Sequence, residues 1–86
     1  MINVRLARGL RSLDDGELRR SVREVAGAQD GLQHVYAEVG VDGADLVLFF
    51  TAATQAAAHA AARRVVMRSL RGESLRGWVI RESVPD

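Results

Sequence analysis

The stretch His34 to Val39, "HVYAEV", sets an imidazole, a phenol and a carboxylate at alternate positions: His34, Tyr36 and Glu38. In an extended strand alternate residues share one face, so the three would stand in a row. With Arg5 and Asn3 beside them from a neighbouring strand, they would supply a general base, a phenolic donor and an anion clamp, given a partner to enclose them. The same spacing limits that chemistry. His34 and Glu38 lie about 13 Å apart along a strand, too far to ligate one metal ion or to share a proton directly. A His and a Glu so placed also make an ordinary solvated rim. His59, inside an alanine-rich stretch, has no chemical partner in sequence, and a surface position is expected for it.

Apolar residues interleave with this row. The run Leu46-Val47-Leu48-Phe49-Phe50 is apolar on both faces, although an antiparallel strand in so small a chain usually keeps one face in water. Val47 and Phe49 then need a cover from outside the chain, and adjacent apolar side chains on a surface mark a binding site. The plainer alternative is a partly exposed Tyr36–Phe49 cross-strand pair worth about 0.5–1 kcal/mol.

The elements that would hold these residues can be read in order. Ile2, Val4 and Leu6 alternate with Asn3, Arg5 and Ala7, the period-two pattern of a strand. Asp14 and Glu17 fit a capping box, and Leu18, Val22 and Val25 recur at helical spacing before Gly27 and Gly31, which predicts a first helix over 14–26. Asp42-Gly43 is a two-residue hairpin signal. Placing the turn there pairs Val39 with Leu46, Ala37 with Leu48 and Val35 with Phe50 on one side, and Glu38 with Val47, Tyr36 with Phe49 and His34 with Thr51 on the other. "TAATQAAAHAAARRVVMRSLRG" predicts a second helix capped by Thr51 or Thr54 and ended by Gly72, with Ala58, Ala62, Val65 or Val66, and Leu70 against the sheet and Arg64, Arg68 and Arg71 outside. In "RGWVIRES" Trp78 and Ile80 alternate with Val79 and Arg81, a last strand.

Strand–helix–strand–strand–helix–strand order with right-handed crossovers gives an α+β, ferredoxin-like split βαβ fold. Two helices would lie on one face of a four-stranded antiparallel sheet of order 4-1-3-2, in one domain over 1–86. The uncovered face would carry Arg5, His34, Tyr36, Glu38, Val47, Phe49, Thr51, Val79 and Arg81, together with Asn3.

Composition removes several functions. With no cysteine there are no disulfides, thiolate metal sites, iron–sulfur clusters or cysteine nucleophiles. No G-x-G-x-x-G, P-loop, H-E-x-x-H or G-x-S-x-G occurs, and neither a metal nor a cofactor is expected. The net charge of +1 supplies no field for nucleic acid or a membrane surface. Arginines cluster in "LRRSVREV" and "ARRVVMRSLRG", so phosphate contacts are an alternative. The third strand, "DLVLFFTA", lacks the RNA-binding pattern of RRM sheets, however, and Glu38 and Asp45 would repel a phosphate backbone. No apolar window reaches the length of a membrane span and the N-terminus has no signal-peptide pattern, so a cytoplasmic location is expected. All twelve basic residues are arginine and alanine is the commonest residue, as a GC-rich, bacterial genome would produce.

Two functional classes follow. The first is a non-enzymatic interaction module that self-associates, or docks on a larger protein, through its open sheet. The second is a dimeric α+β barrel enclosing a small molecule near His34, Tyr36, Glu38 and Arg5. A dry, filled interface would mark the first, and a polar cavity of roughly 300 Å³ or more the second.

Overall fold

Helix α1, Asp15–Val25, begins where its cap can close. The Asp14 carboxylate accepts the Glu17 N–H at 2.8 Å, and Glu17 Oε1 accepts the Asp14 N–H at 3.2 Å. This reciprocal box satisfies two donors that a helix start leaves open. Leu18 and Val22 then fall on the inner side and are buried. Strand β1 spans Ile2–Ala7, β2 Leu32–Val39, β3 Gly43–Phe50 and β4 Val79–Pro85; helix α2 spans Gln55–Leu70. Short 3₁₀ turns at Ala28–Asp30 and Glu73–Leu75 link α1 to β2 and α2 to β4. These elements come from a computed structural model, which describes residues 1–85.

The sheet is antiparallel, in the order β2-β3-β1-β4. Ile2, Val4, Leu6, Val35, Leu46 and Leu48 line its covered face and form one core with Leu18 and Val22 of α1 and Ala58, Ala62, Val65 and Val66 of α2. The small alanines let α2 approach the strands closely. Thr54, not Thr51, caps α2, accepting the Ala57 N–H at 3.0 Å. Gly72 follows the helix at φ −78°, so it ends α2 without the left-handed turn that favours glycine.

The β2–β3 register differs from the one read in the sequence. Val39 pairs with Ala44, Ala37 with Leu46, Tyr36 with Val47, Val35 with Leu48 and His34 with Phe49. The turn residues are Val41 and Asp42, closed by the Gly40 N–H donating to the Gly43 carbonyl at 2.8 Å, and neither has a positive φ. Strand β1 is the cause. Gly43 lies in β3 opposite Ala7, and a Cβ there would collide with the Leu6 carbonyl oxygen. The glycine serves strand approach, not the turn. Arg8 completes the arrangement: its N–H donates to the Asp42 carbonyl at 3.0 Å, and its guanidinium reaches the Gly40 and Val41 carbonyls. Because the displacement amounts to two positions, each residue keeps its face.

Three further positions depart from the sequence reading. Trp78 precedes β4, 2% exposed, and its indole N–H donates to the Arg11 carbonyl at 2.9 Å. Arg81 is the extra residue of a bulge, since Leu6 pairs with Ile80 and Arg5 with Glu82. Thr51 lies beyond the end of β3, tied to Gly31 by its N–H at 2.9 Å.

The arginines of α2 are not all outward-facing cations. Asp30 has a side chain only 3% exposed, and its Oδ2 accepts the Gly27 N–H at 2.7 Å and Arg68 Nη2 at 2.7 Å. Arg68 Nη1 also donates to the Val25 carbonyl at 2.9 Å, and Arg64 Nη2 stands 3.8 Å from Asp30 Oδ1. The Gly27 N–H first, and then the Arg68 guanidinium, hold the Asp30 carboxyl below the usual carboxylate range. A carboxyl lowered in the folded state contributes stability above its unfolded value, and that contribution fades as the pH falls through the folded one. Asp30→Asn is therefore expected to cost about 1.5–3 kcal/mol at neutral pH, with the gap to wild type narrowing in strong acid. Urea unfolding across that pH range checks both the size and the direction.

Candidate functional site

The face of the sheet turned away from the helices is built in rows across the strands. Glu38, Asp45 and Arg5 make one row, Tyr36, Val47 and Asn3 the next, and His34 with Phe49 a third. Alternation along β1, β2 and β3 puts all of these on one side. Toward the turn, Ala7 pairs with Val79, which is 55% exposed.

The first row is electrostatic. Arg5 Nε donates to Asp45 Oδ1 at 2.8 Å, with both side chains more than half exposed. Glu38 stands directly opposite Asp45 on β2, so two carboxylates face each other across the strands. Arg5 reaches Asp45 from the far side. Among the described residues, Glu38 is exposed and makes no ion pair.

The third row is aromatic. His34 and Tyr36 stack with ring centroids 6.4 Å apart and planes at 27°, and Phe49 meets Tyr36 edge-on at 6.0 Å and 81°. Tyr36 remains 59% exposed, whereas Val47 and Phe49 are half-buried. The sequence reading asked for a cover from outside the chain. The Tyr36 ring supplies part of it and is itself the exposed member of an apolar cluster with the half-buried Val47 and Phe49.

The expected trio of His34, Tyr36 and Glu38 shares this face without converging. Tyr36 stands between the other two, so His34 belongs to the aromatic group and Glu38 to the charged row. A shallow, open concavity of about 700 Å³ lies over Asn3, Arg5, Tyr36, Glu38, Asp45 and Val47, and His34 is outside it. Of the residues singled out in the sequence, Arg5, His34, Tyr36, Glu38, Val47, Phe49 and Val79 lie on this face. Thr51 is at its far end, and Arg81 sits out of alternation at the edge of β4.

Sequence reasoning missed a second hollow of about 510 Å³ beside β4, where Met67 and Leu70 of α2 meet Val79 and Ile80, with Arg63 and Arg81 at its rim. Only the packing of α2 against β4 creates it. His59, expected at the surface from its sequence context, is half-buried on α2. Among the described residues, no three His, Asp or Glu side chains gather as a metal site would require, and no helix is long and apolar enough to cross a membrane. Comparison with protein-family models, characterised proteins and solved structures finds no match to this chain.

Proposed function

We propose that this chain is a ferredoxin-like split βαβ domain that acts as a small, non-enzymatic assembly module in the cytoplasm. It self-associates through its open sheet face, and the same face would serve for docking on a larger protein. The observation that carries this reading is the patch of Tyr36, Val47 and Phe49, apolar side chains adjacent on the side of the sheet away from both helices.

The sheet edges favour face-to-face over edge-to-edge pairing. On β2 the Val39 N–H is already taken by Asp15 Oδ1 at 2.7 Å. On β4 a bulge at Arg81 interrupts the ladder, and Pro85 has no N–H to donate. Charges, bulges and prolines of this kind blunt an edge.

Burying a Phe side chain is worth about 1.5–3 kcal/mol, and a charge left unpaired in its place costs several kcal/mol. Phe49→Glu is therefore expected to convert an associating chain into a monomer in sedimentation velocity, with an unchanged far-ultraviolet circular dichroism spectrum. A wild-type chain that stays monomeric at millimolar concentration, or a variant that associates equally well, refutes the reading.

A second reading has the concavity in its favour. Two such faces closing on each other would leave space beside Arg5, Tyr36 and Glu38, as in a dimeric α+β barrel enclosing a small molecule.

A further inference from the structure

The hollow between α2 and β4 has two unlike ends. The chain leaves α2 at Leu70 and returns through the second 3₁₀ turn to begin β4 at Val79, so Leu70 and Val79 mark one of them. From there Arg63 lies seven positions back along α2, about 10.5 Å, and Arg81 two positions forward along β4, about 6.6 Å. Both arginines line the hollow, so its far end is cationic. The near end is apolar: Met67 and Leu70 form the helix wall, Val79 and Ile80 the strand wall, and the buried Trp78 lies beneath them.

We propose that this hollow binds a free, single-tailed amphipathic carboxylate, with the tail along Met67, Leu70, Val79 and Ile80 and the head held by Arg63 and Arg81. The site is distinct from the aromatic cluster on the open face, and its occupancy does not depend on self-association there.

Charge selects the occupant. Helix α2 contains no Asp or Glu, and no acidic residue among those described lines the hollow. Asp30, the buried carboxylate packed against α2, is engaged by Arg64 and Arg68. Among the side chains described, neither Arg63 nor Arg81 is in an ion pair. A guanidinium is charged at every working pH and its fork of donors matches a carboxylate, so two of them at one end call for an anionic head.

The walls select the rest of the molecule. Met67 is 43% exposed and Val79 55%, which leaves apolar surface for a tail to cover. The volume of about 510 Å³ falls within the range of small-molecule sites, which combine apolar walls with a few placed polar groups. Met67, unbranched and adaptable, can shape itself to a flexible chain.

Hexanoate, octanoate and decanoate, titrated into the wild-type chain and followed by amide and methyl NMR, test the proposal. The signals of Met67, Leu70, Val79 and Ile80 are expected to shift while those of Tyr36, Val47 and Phe49 stay fixed. Affinity should rise about tenfold for each two methylenes added. Octan-1-ol, which has the tail of octanoate without its charge, should bind about tenfold more weakly, and so should octanoate to a chain carrying Arg63→Gln and Arg81→Gln. Both arginines are exposed, so that variant should keep the wild-type circular dichroism spectrum. An affinity indifferent to tail length, equal binding of octanol and octanoate, or shifts on the open face in place of the hollow would overturn the site. Retention of the wild-type chain, but not of the double variant, on phosphatidylglycerol vesicles would overturn the free carboxylate in favour of a lipid surface.

Discussion

Trp78→Ala is expected to lower the melting temperature by about 15–30 °C. The indole is one of the largest side chains in the core and is 2% exposed, and truncating a buried Trp costs about 3–5 kcal/mol. A chain of 86 residues has only about 4–13 kcal/mol in total, and each kcal/mol moves the melting point of such a domain by about 4–8 °C. The loss also has a polar component, because the Arg11 carbonyl would forfeit its 2.9 Å donor. Gly9 passes so close that a Cβ there would strike the indole, so the segment between β1 and α1 is fitted to this ring. Trp78→Phe, which keeps an aromatic ring and loses the hydrogen bond, should fall between wild type and Trp78→Ala. A melt within a few degrees of wild type for Trp78→Ala would mean that the segment from Arg8 to Leu13 is held in some other way.

The second large effect is expected at a residue that reads as part of a turn. Gly43→Ala places a methyl group against the Leu6 carbonyl oxygen, a backbone atom of a buried residue in the adjacent strand. A flexible side-chain tip could move aside; a paired strand cannot. The cost is expected at about 3 kcal/mol, the upper end for overpacking. Asp45 lies two residues further along β3, so the Arg5–Asp45 pair should be disturbed with it. Gly40→Ala is the control: the nearest atom to its Cβ is the Gly43 carbonyl oxygen at 3.9 Å, an ordinary contact, and its effect should be small. Equal effects at the two glycines, measured by urea unfolding, would contradict the close approach of β1 to β3.

These two residues also show what the sequence made legible. The capping box at Asp14 and Glu17, the alternation of β1 and the alanine-rich α2 are local patterns, and local geometry enforces them. The face assignment of β2 and β3 was legible for the same reason, since it depends only on parity and survives a displacement of two residues. The register was not. Asp42-Gly43 carries the signature of a hairpin turn, but the demand on Gly43 comes from Leu6, 37 positions earlier in the chain and brought alongside only by the sheet. The bulge at Arg81 and the burial of Trp78 depend in the same way on β1 and on the Arg11 carbonyl. Asp30 is the clearest case: an aspartate just before a glycine reads as loop, and its Arg68 partner lies 38 positions away on another element.

In the candidate site, the sequence located the open face and the strand on which its apolar residues lie. It paired Tyr36 with Phe49, and the two rings do meet, but it could not show that the contact is diagonal: Tyr36 stands opposite Val47 and leans toward the next row. Nor could it show that Arg5 is engaged by Asp45 across β1 and β3, which places the charged row beside the patch and leaves Glu38 outside that pair.

Self-association through the open face is tested most directly by amide spectra of the wild-type chain recorded from micromolar to millimolar concentration. The signals of Tyr36, Glu38, Val47 and Phe49 are expected to shift together with concentration, while those of Leu18, Val22, Val65 and Val66 on the covered side stay fixed. Shifts confined to the helices or to the edge of β4, or none at any concentration, would contradict it.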